Sequence, residues 1–300
     1  MGSARRPGIR LAASLLAGAA MLAPAVAFAA HPASLYYERA LMSAAGARCG
    51  LFTPQIASAL SAAAAQARGA ALRSGMAAAE VKDVGARALA KAARTPCGSQ
   101  DLKIAADRVR TAFEGWTRLS RMTFAGENAP WLADRGAYRS PRWRLSQAGR
   151  AGAVPATFGV AGNLDRSALL AVAAFPGGEQ PYAARLVMRD EGRSPLPWLG
   201  APRARPLPPR SASLVILAEA RDDADPGLLG AGTDSGIAFR FPQRASDALA
   251  ELDPRERFAV EFLFRGDRVQ IAVFEVGDFA AGRAFLAAAP AAASVRRSAG

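Results

Sequence analysis

Hydrophobic and polar positions alternate with two different periods along this chain, and the change of period divides it. Between residues 34 and 119 apolar side chains recur every three or four positions, the spacing of one helical face. Ser34 can cap a helix from Leu35 to Arg48, and Thr53 with Pro54 at the first helical position opens a second that runs to Ser74. Ile56, Leu60, Ala63, Ala67 and Ala71 line one side of that second helix. A third helix from Ala77 to Arg94 is stopped by Thr95-Pro96, and a fourth follows Ser99 with Leu102, Ala105, Val109, Ala112, Trp116 and Leu119 in one stripe. Short connections make these four helices antiparallel neighbours, an alanine-rich four-helix bundle.

From about residue 142 the period is two. Phe258, Val260, Phe262 and Phe264 alternate with Arg257, Ala259, Glu261, Leu263 and Arg265, as in a strand with one buried face. Gly266-Asp267 supplies a turn into a partner strand from Arg268 to Val276. Further strands are expected at Ala156 to Ala161, Ala168 to Phe175, Tyr182 to Arg189, Ser213 to Ala220 and Ile237 to Phe241, with short helices at Ala245 to Leu252 and Phe279 to Ala288. The expected fold class is therefore α+β: the bundle over residues 30–122, a linker at 123–141, and a mainly antiparallel β-sandwich over 142–288. The last residues, 289–300, are low in complexity and are expected to be disordered.

Cys49 and Cys97 test the bundle independently of periodicity. In an up-down-up-down arrangement the first and third interhelical connections lie at the same end, and the two cysteines sit in those connections. They are the only cysteines, so the expectation is one disulfide with a structural role.

Composition adds a location. The chain has 300 residues, 51% of them hydrophobic and 21% charged, which excludes a disordered or disulfide-dense protein. Arg5, Arg6 and Arg10 precede an uncharged stretch from Leu11 to Ala30 that ends in Ala27-Phe28-Ala29, the pattern of a cleaved signal peptide over residues 1–29. The expected location is the periplasm or the cell exterior. Net charge is +13, and it is uneven: residues 30–150 hold 18 basic and 8 acidic side chains, residues 151–300 hold 17 of each. Such asymmetry suggests a polyanionic partner, and the expectation is an anionic envelope polymer or a membrane surface, not nucleic acid.

Candidate chemistry is sparse. His31 is the only histidine and lies beside the predicted cleavage point, which removes triad-type hydrolysis and leaves no set of metal ligands around it. The loop Gly232-Thr233-Asp234-Ser235-Gly236 mimics a nucleophile loop but reads as a turn before a strand. Asp222, Asp223 and Asp225 lack the Gly and Glu of a calcium loop and read as a solvated loop. No cofactor is implied. One segment carries a mechanism: Arg135, Arg139, Arg142 and Arg144 are interleaved with Trp131 and Tyr138, and guanidinium forks with aromatic faces suit an anionic polymer. If Arg142 to Ser146 is a strand, Trp143 and Leu145 face the core and the arginines face water.

The stretches Trp143-Arg144-Leu145, Ala156-Thr157-Phe158-Gly159 and Val276-Gly277-Asp278-Phe279 resemble secreted sandwich domains of the invasion-associated locus B type. The resemblance implies a small exported sandwich for the second half, carries over no catalytic residue, and departs from that family in lacking its cysteines there. The functional expectation is a non-enzymatic binding protein of the bacterial cell envelope. The alternative is a periplasmic, carboxylate-dependent hydrolase of cell-wall or glycan material.

Overall fold

Proline at the first position and a polar residue just before it start the first two helices. A computed structural model describes residues 31–163, 165–176, 180–200 and 206–287; the expected leader and the expected disordered tail lie outside the described residues. Helix α1 spans Pro32–Cys49, α2 Pro54–Arg73, α3 Ala78–Arg94 and α4 Gln100–Phe113. α1 begins earlier than its expected cap at Ser34, because Pro32 takes the first position and His31 Nδ1 accepts the Ala33 N–H at 3.4 Å. Thr53 and Ser99 cap α2 and α4 as expected, accepting the N–H groups of Ile56 and Leu102.

α4 does not carry its apolar stripe as far as Trp116 and Leu119. It ends at Phe113, and Trp116–Arg118 form a separate 3-10 turn. The cause is tertiary: Arg135 donates to the carbonyls of Trp116, Thr117 and Leu119, and the Trp116 ring packs edge-on against Phe285 with centroids 5.1 Å apart. α1 packs on both α2 and α3 around Met42, Ala45, Leu60, Ala92, Leu102 and Ala106. Cys49 and Cys97 are bonded, with Cα atoms 5.6 Å apart.

Eleven strands follow: β1 Arg121–Phe124, β2 Trp131–Asp134, β3 Arg142–Ala151, β4 Val154–Gly162, β5 Ser167–Ala173, β6 Ala183–Arg189, β7 Ser213–Leu217, β8 Ala220–Asp223, β9 Ile237–Phe241, β10 Arg257–Leu263 and β11 Val269–Glu275. Helix α5 spans Gln243–Glu251 and α6 Phe279–Ala287. The architecture is α+β, four helices and then a large antiparallel sheet. The strands form one hydrogen-bonded path, β7-β6-β10-β11-β3-β4-β5-β9-β8, with β2 on β3 and β1 on β2. Its two end strands, β7 and β8, are separated in the chain only by Ala218 and Glu219, so the sheet curls on itself. Alternate residues point into the curl, where Phe158 of β4 meets Phe241, Phe258 and Phe274 from three other strands.

Three strands lie where none was expected. The end of β1 and all of β2 fall within the stretch read as a linker, and β8 holds Asp222 and Asp223, read as a loop. β8 is an end strand that pairs with β9 through backbone groups alone, so its exposed polar side chains gave no alternation to detect. β2 and β11 share one side of β3, and β11 reaches β3 only at Ala272 opposite Ala151. Side chains close the gap. Gln147 accepts the Glu275 N–H at 2.7 Å, and the Trp131 indole donates to the carbonyls of Glu275 and Val276.

The Glu275 carboxylate gathers the loop between β1 and β2, accepting the N–H groups of Glu127, Asn128 and Ala129. Burial would raise its pKa, but these donors and the Asn128 side-chain amide outweigh burial and hold it below the usual glutamate value. A carboxylate depressed in the folded state adds stability above its unfolded pKa, and that stability is lost as pH falls through the folded value. Glu275→Gln should therefore lower the urea midpoint at pH 7 and differ progressively less from the unsubstituted protein as the solution is acidified below about pH 4.5. Denaturation curves across that range check it; a constant difference would mean that Glu275 acts through shape rather than charge.

The helices join the sheet through α2 and α6. Arg73 on α2 forms two parallel bonds, 2.8 and 2.9 Å, to Asp278 at the start of α6. Gly69 makes that approach possible, since a Cβ there would lie 2.2 Å from Asp278 Oδ1.

Candidate functional site

The arginine and aromatic segment does not lie on one face. Trp131 is fully buried, packing against Phe158 and Phe279, because its strand turns it inward beside the Phe cluster. Arg135 is 2% exposed, and its guanidinium lies over the rings of Trp116 and Phe285. Burial lowers its pKa, and its Nη1 has no hydrogen-bond partner among the described residues. Trp131 and Arg135 are therefore core and helix-end elements in this structure and take no part in a surface. Tyr138, Arg139, Arg142 and Arg144 are at least partly open to solvent.

The position of Trp143 also departs from the alternation that places it in the core with Leu145. The β3–β4 register shifts between Trp143 and Leu145. This bulge turns Leu145 into the core and leaves Trp143 on the outer face, among Ala161, Val172 and Leu228. Gly159 permits it: its φ is 153°, and a Cβ there would lie 1.9 Å from the Leu145 carbonyl oxygen. The Trp143 indole is fixed by donation to the Leu228 carbonyl at 3.0 Å.

With Trp143 outside, a groove of about 490 Å³ forms across the outer face of β1, β2 and β3, lined by Arg121, Thr123, Leu132, Asp134, Trp143 and Ser146. Leu132 is 57% exposed on its wall. Asp134 organises one end, accepting from Arg121 Nε at 2.7 Å, Tyr138 Oη at 2.9 Å and the Gly136 N–H at 2.8 Å. Burial works against its charge, but these three donors hold its pKa below the usual aspartate value, so it is an ionised acceptor at neutral pH. The Arg121 pKa is raised by the hydrogen bonds to Tyr138 and Asp134. Arg144 Nε donates to the Asp134 carbonyl at 2.8 Å. Beyond the groove Arg139 and Arg142 are exposed and have no carboxylate partner among the described residues. Such guanidinium groups can form charge-assisted bonds to sulfate, phosphate or carboxylate, while the indole offers an apolar face.

Sequence reasoning missed Arg121, Leu132 and Trp143. Arg121 and Thr123 alternate with Met122 and Phe124, a strand signal too short to stand out. The Trp143 position depends on a bulge and has no sequence signal of its own.

Elsewhere, Asp165, Glu219, Asp222, Asp223 and Asp225 line the rim of an open cavity of about 760 Å³, where Glu219 pairs with Arg240 at 3.3 Å. Among the described residues no three His, Cys, Asp or Glu side chains are placed to hold a metal ion. No helix among them is long and apolar enough to cross a membrane, and the disulfide is compatible with an oxidising compartment. Comparison with known proteins gives no match: no family model fits the chain, no curated protein is similar in sequence, and no solved structure is similar in fold.

Proposed function

We propose that this is a non-enzymatic binding protein of the bacterial cell envelope, exported to the periplasm, which holds an anionic polymer along the outer face of β1–β3. The observation that carries this reading is the bulge in β3, which puts Trp143 beside Arg121 in one groove, with Arg144 held on the Asp134 carbonyl and the exposed Arg139 and Arg142 continuing the basic segment. The leader-like first residues and the Cys49–Cys97 bond support export. The bundle arrangement of the four helices, and the facing walls of the curled sheet as a sandwich-like core, belong to the same reading.

The test uses dextran sulfate as the anionic probe and plain dextran as the neutral one. Dextran sulfate should bind at low ionic strength and weaken steeply with salt, since exposed charges are screened over about 10 Å at 0.1 M. Arg139→Gln with Arg142→Gln should cost about tenfold in affinity, or about 1.4 kcal/mol, while leaving the thermal midpoint unchanged because exposed arginines add little stability. Equal binding of both dextrans, or full affinity in the double variant, overturns the proposal.

The second reading, a carboxylate-dependent hydrolase of cell-wall or glycan material, is favoured by the acidic residues that line the cavity of about 760 Å³. It ranks lower because Asp222 and Asp223 are exposed, where a reacting bond stays open to water. Turnover of purified envelope glycans that is lost in Asp223→Asn decides for it.

A further inference from the structure

A second cavity, of about 390 Å³, opens where α1 and α2 meet the end of β1 and the start of α6. Its floor is apolar, made by Leu35, Ala67 and Ala70, and three charged groups line it: Arg39, Arg73 and Asp278. Their charges do not cancel. Arg73 and Asp278 neutralise each other through two parallel hydrogen bonds, whereas Arg39 donates only to a neutral group, the Ala63 carbonyl at 2.9 Å. Arg39 is half-buried and has no carboxylate partner among the described residues; Glu38, next to it in the chain, is exposed. Burial lowers the Arg39 pKa by more than the charge of neighbouring Glu38 raises it, as for a cation whose loss of water is only partly offset. Partly desolvated guanidinium groups normally acquire an anion, and the planar fork suits a carboxylate.

We propose that this cavity binds a small monocarboxylate with a short aliphatic body, its carboxylate on Arg39 and its body on Leu35, Ala67 and Ala70. A single negative charge brings the lining to neutrality, and a dianion would leave an excess beside Asp278. The volume lies within the range of small-molecule sites. Thr123 borders both this cavity and the groove on the outer face, so the two are neighbours. Arg39 and Ala70 line only the cavity, so variants there leave the dextran sulfate experiment unaffected and the two proposals fail separately.

Calorimetric titration of the purified protein tests the site. The probes are butanoate for a free acid, N-acetylalanine for the carboxylate of a peptide end, butanamide as the neutral counterpart, and inorganic phosphate. The expected result is saturable binding of at least one carboxylate and none of butanamide, with the tighter carboxylate identifying the source. Arg39→Gln should weaken that binding by about tenfold or more at an unchanged thermal midpoint. Ala70→Leu, which fills the cavity and keeps Arg39, should abolish it, and this variant decides the matter if Arg39→Gln does not fold. The proposal is overturned if neither carboxylate binds saturably, if phosphate binds tighter than both, or if the cavity-filled variant binds like the unsubstituted protein.

Discussion

Replacing both cysteines by serine, or reducing the Cys49–Cys97 bond, should destabilise the protein by about 4 kcal/mol on the loop-closure estimate for a sequence separation of 48. The closed loop contains all of α2 and α3, so the reduced chain regains the freedom of two helices and their connections. Little else offsets that loss, because half of the buried cluster beside Cys49 is alanine: Ala45, Ala92 and Ala106 with Met42, Leu60 and Leu102. Small side chains remove little apolar area from water. Urea denaturation with and without reductant measures the effect, and the far-ultraviolet helical signal should respond first. A shift below about 1 kcal/mol would mean that helix packing, not the cross-link, holds this part together.

Phe158→Ala is expected to have an effect of similar size, about 3–5 kcal/mol, the range for emptying a buried aromatic site. Phe158 is fully buried, and its ring meets Trp131, Phe241, Phe258 and Phe274 at centroid distances between 5.0 and 6.4 Å. It joins opposite walls of the curled sheet, so a cavity there cannot close by moving one strand. Phe258 and Phe274 are stacked on each other and Trp131 packs on Phe279, so these rings cannot relax inward without losing those contacts. Denaturant midpoints at constant slope check the prediction; a cost below about 1.5 kcal/mol would mean that the walls collapse to fill the space.

Periodicity located most elements because those elements are amphipathic. α2 and α3 begin and end within a residue or so of their caps and stops, and β9 matches its expected span, Ile237–Phe241. The pairing of Cys49 with Cys97 followed from helix order alone. The failures share a cause. α4 stops short of Trp116 because Arg135, seventeen residues beyond the turn at Arg118, bonds to the carbonyls at its end. Local sequence contains no trace of that contact. β1, β2 and β8 were missed because strands of four residues carry too few alternations to register.

The candidate site was legible only in part. Within residues 131–150, Arg139 and Arg142 are exposed as the sequence suggested, whereas Trp131 and Arg135 are buried. Trp131 and Trp143 exchange expected places. A one-residue shift in a strand moves a side chain to the opposite face, and the shift in β3 rests on Gly159, a residue on another strand.

The amino-acid sequence by itself determined the four helices and the longer strands, the cross-link and the uneven distribution of charge, since these depend on side-chain period, helix order and composition within the chain. Only the tertiary structure decided that the sheet curls round a shared Phe core, that Arg73 on α2 meets Asp278, that Arg39 donates to a backbone carbonyl and, among the described residues, not to a carboxylate, and which tryptophan faces outward. Each of these joins residues far apart in the chain, where packing volume and desolvation outweigh local preference, and no periodic signal encodes such a meeting.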